Sequence, residues 1–121
     1  IPQAAAFYHD VLGFDIVAQM PTALFVSAGG YHHHIGMNIW HSRNAPAAPA
    51  GTAGLRVFTL ELPTEASREA VLARVQAAGI AYTREGAVVR LHDPWQNAIL
   101  LTVGAVADAN AVNTLRAATA L

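Results

Sequence analysis

Apolar residues recur at helical spacing as soon as the chain begins. Ala6, Phe7, Val11 and Leu12 share one stripe, Pro2 suits a first turn and Gly13 a stop, which predicts a helix over residues 2–12. The period then shortens. Phe14–Gln19, Ala23–Ala28 and Tyr31–Trp40 read as strands, separated by Pro21 and by Gly29-Gly30. A Pro-, Gly- and Ala-rich segment, "SRNAPAAPAGTAG" at 42–54, is long enough for a crossover. Leu55–Leu62 is the next strand. Pro63-Thr64 opens a second helix, with Thr64 as N-cap, Glu65 in the first turn, an apolar stripe of Val71, Leu72 and Val75, and an end at Gly79. Ile80–Arg84, Ala87–His92 and Asn97–Val103 read as strands, with "DPWQ" at 93–96 as a turn. An Ala-rich tail over 104–121, with Asp108 as a possible N-cap, is expected to be helical.

The two halves repeat. "LGFDIVAQ" at 12–19 parallels "AGIAYTRE" at 78–85; Ala23 maps to Ala87 and Ile35 to Ile99, these two both 64 positions on. The second half has a strand before its helix, Leu55–Leu62. By symmetry the first half lacks one, expected upstream of Ile1. The fold class expected is α+β: tandem βαβββ units, 1–41 and 55–103, joined by the crossover at 42–54 into one domain over 1–103.

Composition narrows the function. The chain of 121 residues is 54% hydrophobic and 12% charged, against about 25% charged in ordinary soluble domains, which implies that part of its surface is covered by something else. No apolar run reaches the ~18–20 residues of a membrane span. A net charge of −1 supplies no footprint for nucleic acid and no polybasic membrane patch. There is no cysteine, so thiolate chemistry is excluded; a cytoplasmic location fits that composition.

"FYHDVLGF" opening one unit and "DPWQNAILL" closing the other, in that order and spacing, resemble the vicinal oxygen chelate superfamily, which includes glyoxalase I, bleomycin-resistance proteins, fosfomycin-resistance enzymes and extradiol dioxygenases. Gln96 stands where the family's Asp-Pro-x-Gly-Asn turn has glycine. "ALFVSAGGYHHHIGMNIW", followed by "APA", looks more specifically like the second half of catechol 2,3-dioxygenase-like proteins. The resemblance implies a curved, incomplete β-barrel with helices outside. It also implies a cleft for a small aromatic or oxygenated molecule and a divalent metal such as Fe, Mn or Zn. A sister module or a homodimer is implied as partner. The family's ligand positions fall at Val57, Gly36 and Leu100, and none of these side chains can ligate.

The triplet in "YHHHIGMNIW" is the main candidate for chemistry. Strand alternation predicts Ile35, Met37 and Ile39 on the helix side. His32, His34, Asn38 and Trp40 should face the cleft, and His33 the solvated helix side. Thr59 and Glu61 share the cleft face with Val57, Glu61 at the rim. His32 and His34, two residues apart, can share one metal if a third ligand arrives from the missing strand. Without one they are polar lining that donates hydrogen bonds. His9, His41 and His92 read as solvated or hairpin-end residues. Three roles stay open: a metal-dependent ring-cleavage dioxygenase or glyoxalase-type enzyme, a metal-free binding module of the sequestering kind, and a structural partner module of a longer enzyme.

Overall fold

A computed structural model describes residues 1–104 and 117–119. The first helix, α1 (Pro2–Ala5), runs on as π-helical turns over Ala6–Val11. It ends at Gly13, whose φ of +89° only glycine adopts without strain. The strands β1 (Asp15–Met20), β2 (Ala23–Ser27) and β3 (Ile35–Asn38) form a three-stranded antiparallel sheet. After the crossover come β4 (Val57–Leu62), α2 (Glu65–Ala77), β5 (Tyr82–Glu85), β6 (Val88–His92) and β7 (Ala98–Val103). A last strand, β8 (Ala117–Thr119), completes a second sheet of order β5-β6-β7-β4-β8. The fold is α+β with two open sheets and no closed barrel among the described residues.

The internal repeat is visible in the pairing. β4 runs parallel to β7, with Val57 opposite Ala98 and Thr59 opposite Leu100. β3 is the counterpart of β7, yet among the described residues it pairs only with β2. α2 starts as its sequence requires: the Thr64 hydroxyl accepts the Ser67 amide at 3.1 Å, with Glu65 in the first turn.

Two expectations are corrected. The strand expected over Tyr31–Trp40 shrinks to Ile35–Asn38, because Gly29 and Gly30, both at positive φ, turn the chain out of the ladder first. At its other end the Trp40 amide bonds the Asn38 side chain. The tail expected as helix contributes a strand at Ala117–Thr119, hydrogen-bonded antiparallel to the second edge of β4. Alanine's helix propensity is a weak prior that tertiary pairing overrides. Asp108 and the helix expected from it lie outside the described residues. No described helix is long and apolar enough to cross a membrane.

One hydrophobic cluster joins both halves. Phe7, Tyr8 and Phe14 from the first meet Leu60 of β4, Val71 and Val75 of α2, Leu91 of β6 and Ile99 of β7. Two polar clasps cross between the halves. Arg74 of α2 reaches over Gly13 and donates to the carbonyls of Val11 (2.7 Å) and Leu12 (3.2 Å), capping the first helix with a cation. In the other direction, the Tyr8 hydroxyl donates to the Asp93 carboxylate at 2.9 Å. Asp93 is only 3% exposed and also accepts from the Trp95 amide and from both the amide and side chain of Asn97. This holds the turn before β7 even though Gln96 sits at φ +70°.

Burial, then the Asp93 charge and hydrogen bond, push the Tyr8 pKa well above the ordinary tyrosine value. The stability this contributes is fully present below about pH 10 and falls by about 1.4 kcal/mol per pH unit above it, as the unfolded chain loses a proton that the folded chain keeps. Tyr8→Phe is expected to cost about 1–2 kcal/mol at neutral pH and to flatten that alkaline decline. Urea denaturation across pH checks both.

Candidate functional site

Strand pleating divides each sheet into a core face and an open face. In the first sheet Leu24 lies opposite Met37 and Val26 opposite Ile35, and these four pack toward the core. Their alternates, Phe25 opposite Gly36 and Ala23 opposite Asn38, form the open face. In the second sheet Phe58, Leu60 and Leu62 are buried, whereas Val57, Thr59 and Glu61 alternate with them and are half-buried. Beside these stand Ala98, Leu100 and Thr102, then Arg90 and His92. Thr59, Val57 and Leu100 therefore lie on the open face, as expected. Glu61 lies there too, with its carboxylate so close to Gly104 that a Cβ at that position would come within 2.7 Å of Oε1.

The histidines are arranged differently from a plain strand. Residues 31–34 precede β3, so alternation does not govern His32 and His33. His32 is exposed, its ring 4.2 Å from that of Tyr31 and 4.5 Å from that of His33. His33, expected on the helix side, instead sets its ring edge-on to Phe25 at 5.4 Å, beside Gly36. His34 is half-buried. Its Nδ1 lies 3.2 Å from both the Ala28 amide and the Ser27 hydroxyl, and its ring is 4.9 Å from that of Tyr31. Burial, then the neighbouring His32 and His33, lower its pKa. Tyr31 thus touches both His32 and His34.

The remaining candidates are scattered. Asn38 is exposed and spends its oxygen on the Trp40 amide at 3.2 Å; Trp40 is 65% exposed. His41 lies in the exposed crossover. His92 closes β6 opposite Ala98. His9 is bound to the Phe14 carbonyl at 2.5 Å, a structural use of its ring. An open depression of ≈ 480 Å³ lined by Ile1, Pro2, Gln19, Met20 and Pro21 brings none of these groups together.

A divalent metal needs several nitrogen or oxygen donors, typically three from the protein in a catalytic site. No group of three or more His, Cys, Asp or Glu able to hold an ion occurs among the described residues. At Val57 and Leu100 the open face offers only aliphatic carbon. At Gly36 a Cβ would meet the Phe25 ring at 3.1 and 3.2 Å, so that ring fills the space a ligating side chain would need. Phe25 and Tyr31 are the site residues that sequence reasoning missed. An aromatic between the two core residues Leu24 and Val26 was the available signal for Phe25; nothing in the pattern marked Tyr31.

Comparison with known proteins bears on this geometry. Residues 1–111 match the family model described as Glyoxalase/Bleomycin resistance protein/Dioxygenase superfamily. A catechol-2,3-dioxygenase of Bacillus subtilis is 47% identical over 105 residues, covering 85% of this chain but 37% of its own length. The chain therefore spans little more than a third of that relative. Among solved structures, lactoylglutathione lyase from Agrobacterium tumefaciens aligns with TM-score 0.59 at 25% identity, covering 85% of this chain and 84% of that one. A glyoxylase/bleomycin resistance protein/dioxygenase domain from Frankia sp. EAN1pec aligns at TM-score 0.61 and 13% identity, covering 87% and 89%, a likeness of fold.

Gly36→Ala is expected to destabilise by about 1 kcal/mol or more, because the Phe25 ring must shift to admit the methyl. Adding Phe25→Leu should return part of that loss. A denaturation double-mutant cycle measures the coupling.

Proposed function

Because the chain belongs to the glyoxalase/bleomycin resistance protein/dioxygenase superfamily, we propose that it is one module of a longer catechol 2,3-dioxygenase-like protein. Its open face binds or covers a small aromatic or vicinal-oxygen compound, and its own metal-ligand positions have been given up. The observation that carries this reading is the 47% identity to a catechol-2,3-dioxygenase of which the aligned stretch covers only 37%, set beside aliphatic side chains where ligands are expected. Val57 and Leu100 make the open face of the second sheet apolar, with Thr59 beside them, and Phe25 does the same on the first sheet, with His34 and Asn38 as polar anchors. Such a mixture suits a small oxygenated ring.

In a longer enzyme the metal-dependent step would belong to a sister module. This module would then contribute shape, a dry wall and hydrogen bonds to the substrate. A second reading, a metal-free module that sequesters its ligand, is favoured by the Phe25 ring over Gly36. The two readings share the same ligand-facing residues and differ in whether a sister module does chemistry.

The chain as purified is expected to contain no stoichiometric Fe, Mn or Zn by elemental analysis, and its thermal shift on adding catechol is expected to survive treatment with a chelator. One equivalent of metal, lost in the His32→Ala/His34→Ala variant, would instead establish a rearranged metal site in this module. Ring cleavage by the longer protein after iron loading, retained when Val57 and Leu100 are replaced by alanine, would place the reaction in the sister module.

A further inference from the structure

The β2–β3 connection holds a histidine whose protonation pattern is set by the backbone. The His34 amide donates to the Val26 carbonyl at 2.8 Å and so begins the β3 ladder. The next donor along β2, the Ala28 amide, finds no carbonyl, because Gly29 and Gly30 have turned the chain away. Nδ1 of His34 takes the carbonyl's place at 3.2 Å. An amide N–H can only donate, so Nδ1 must offer its lone pair, and a neutral imidazole then carries its single proton on Nε2. The Ser27 hydroxyl, fully buried, lies 3.2 Å from Nδ1 and 3.3 Å from the Ala28 carbonyl, so its single proton has two acceptors within reach and the Ala28 amide alone fixes the tautomer.

Metal-binding histidines show the opposite arrangement. Their second ring nitrogen donates its N–H to a carboxylate, carbonyl or water, which leaves the ligating nitrogen with a free lone pair. In His34 the second nitrogen receives the hydrogen bond of the Ala28 amide, and Nε2 has no partner among the described residues. The Tyr31 ring lies 4.9 Å from that imidazole and is 52% exposed.

We propose that His34 is a fixed Nε2–H hydrogen-bond donor for an oxygen atom on a planar aromatic ligand seated beside Tyr31, and is not a metal ligand. The proposal rests on the reading that the open face receives an oxygenated aromatic molecule. The Ala28 amide sets the tautomer, and Tyr31 supplies the apolar surface against which a ring can lie. An acceptor oxygen (phenol, phenolate or carboxylate) answers the Nε2 proton; a cation does not.

The test is long-range ¹H–¹⁵N NMR of the histidine rings in the unmutated chain near neutral pH. His34 is expected to show Nδ1 of the pyridine type and Nε2 of the pyrrole type, unchanged by one equivalent of Zn²⁺. Added catechol is expected to shift the Nε2 proton downfield. Protonation on Nδ1, or conversion of Nε2 to a metal-bound nitrogen by Zn²⁺, would overturn the assignment of tautomer and role. Catechol that perturbs Phe25 and Thr59 but leaves His34 unmoved would overturn the donor role alone. Catechol that perturbs nothing on the open face would overturn the ligand reading beneath the donor role, while the Zn²⁺ arm judges the tautomer separately.

Discussion

The Asp93 carboxylate is the point on which the two halves hang together. It is buried where a charge is costly unless several donors surround it, and four converge on its two oxygens. Three come from its own turn and fix how β6 hands over to β7. The fourth, the Tyr8 hydroxyl, comes from the first helix, 85 residues earlier. One group therefore sets both the turn that leads into β7 and the docking of the first half on the second. Arg74 answers it from the other side by capping the helix that carries Tyr8. With these clasps in place the apolar residues of both helices close into one core, and the opposite face of each sheet is left for function.

Each open face is apolar at the positions that matter for a metal. Where the superfamily resemblance puts ligands, the chain has Val57, Leu100 and a Gly36 covered by the Phe25 ring. The polar groups beside them are Thr59, Glu61, Thr102, Arg90 and His92 on the second sheet, and on the first Asn38, tied to the Trp40 amide, with the histidines of the β2–β3 connection. A surface of this kind recognises a flat ring with a few oxygens better than it holds a bare cation, because burial of the ring supplies the favourable term and a few hydrogen bonds fix orientation. The β2–β3 connection matters for the same reason. It sets three imidazoles and a phenol side by side, yet ties the one half-buried imidazole to the backbone through Nδ1.

Much of this was legible in the sequence. The internal repeat announced two similar units, the Thr64 cap and the apolar stripe of α2 announced a helix, and "DPWQNAILL" announced the turn and the last strand. The open-face positions of Val57, Thr59 and Leu100 followed from period-two alternation. The departures have local causes. Alternation holds only while the chain stays in the ladder, and the Gly29-Gly30 turn releases residues 31–34 from it. That is why His33 comes to lie beside Phe25. Alanine propensity pointed to a helical tail, but an unsatisfied edge of β4 recruits Ala117–Thr119 as a strand.

By itself the sequence determined which side chains could serve: the absence of cysteine, the aliphatic residues at the expected ligand positions, three adjacent histidines, and a repeat that specifies two sheets. Only the tertiary structure decided what those side chains do. The Phe25 ring closes the space at Gly36, Tyr8 finds Asp93 across the molecule, and the Ala28 amide chooses the tautomer of His34. These outcomes depend on atoms far apart in the chain meeting at hydrogen-bond or van der Waals distance. Periodicity encodes the face a residue occupies, but not the partner it meets there.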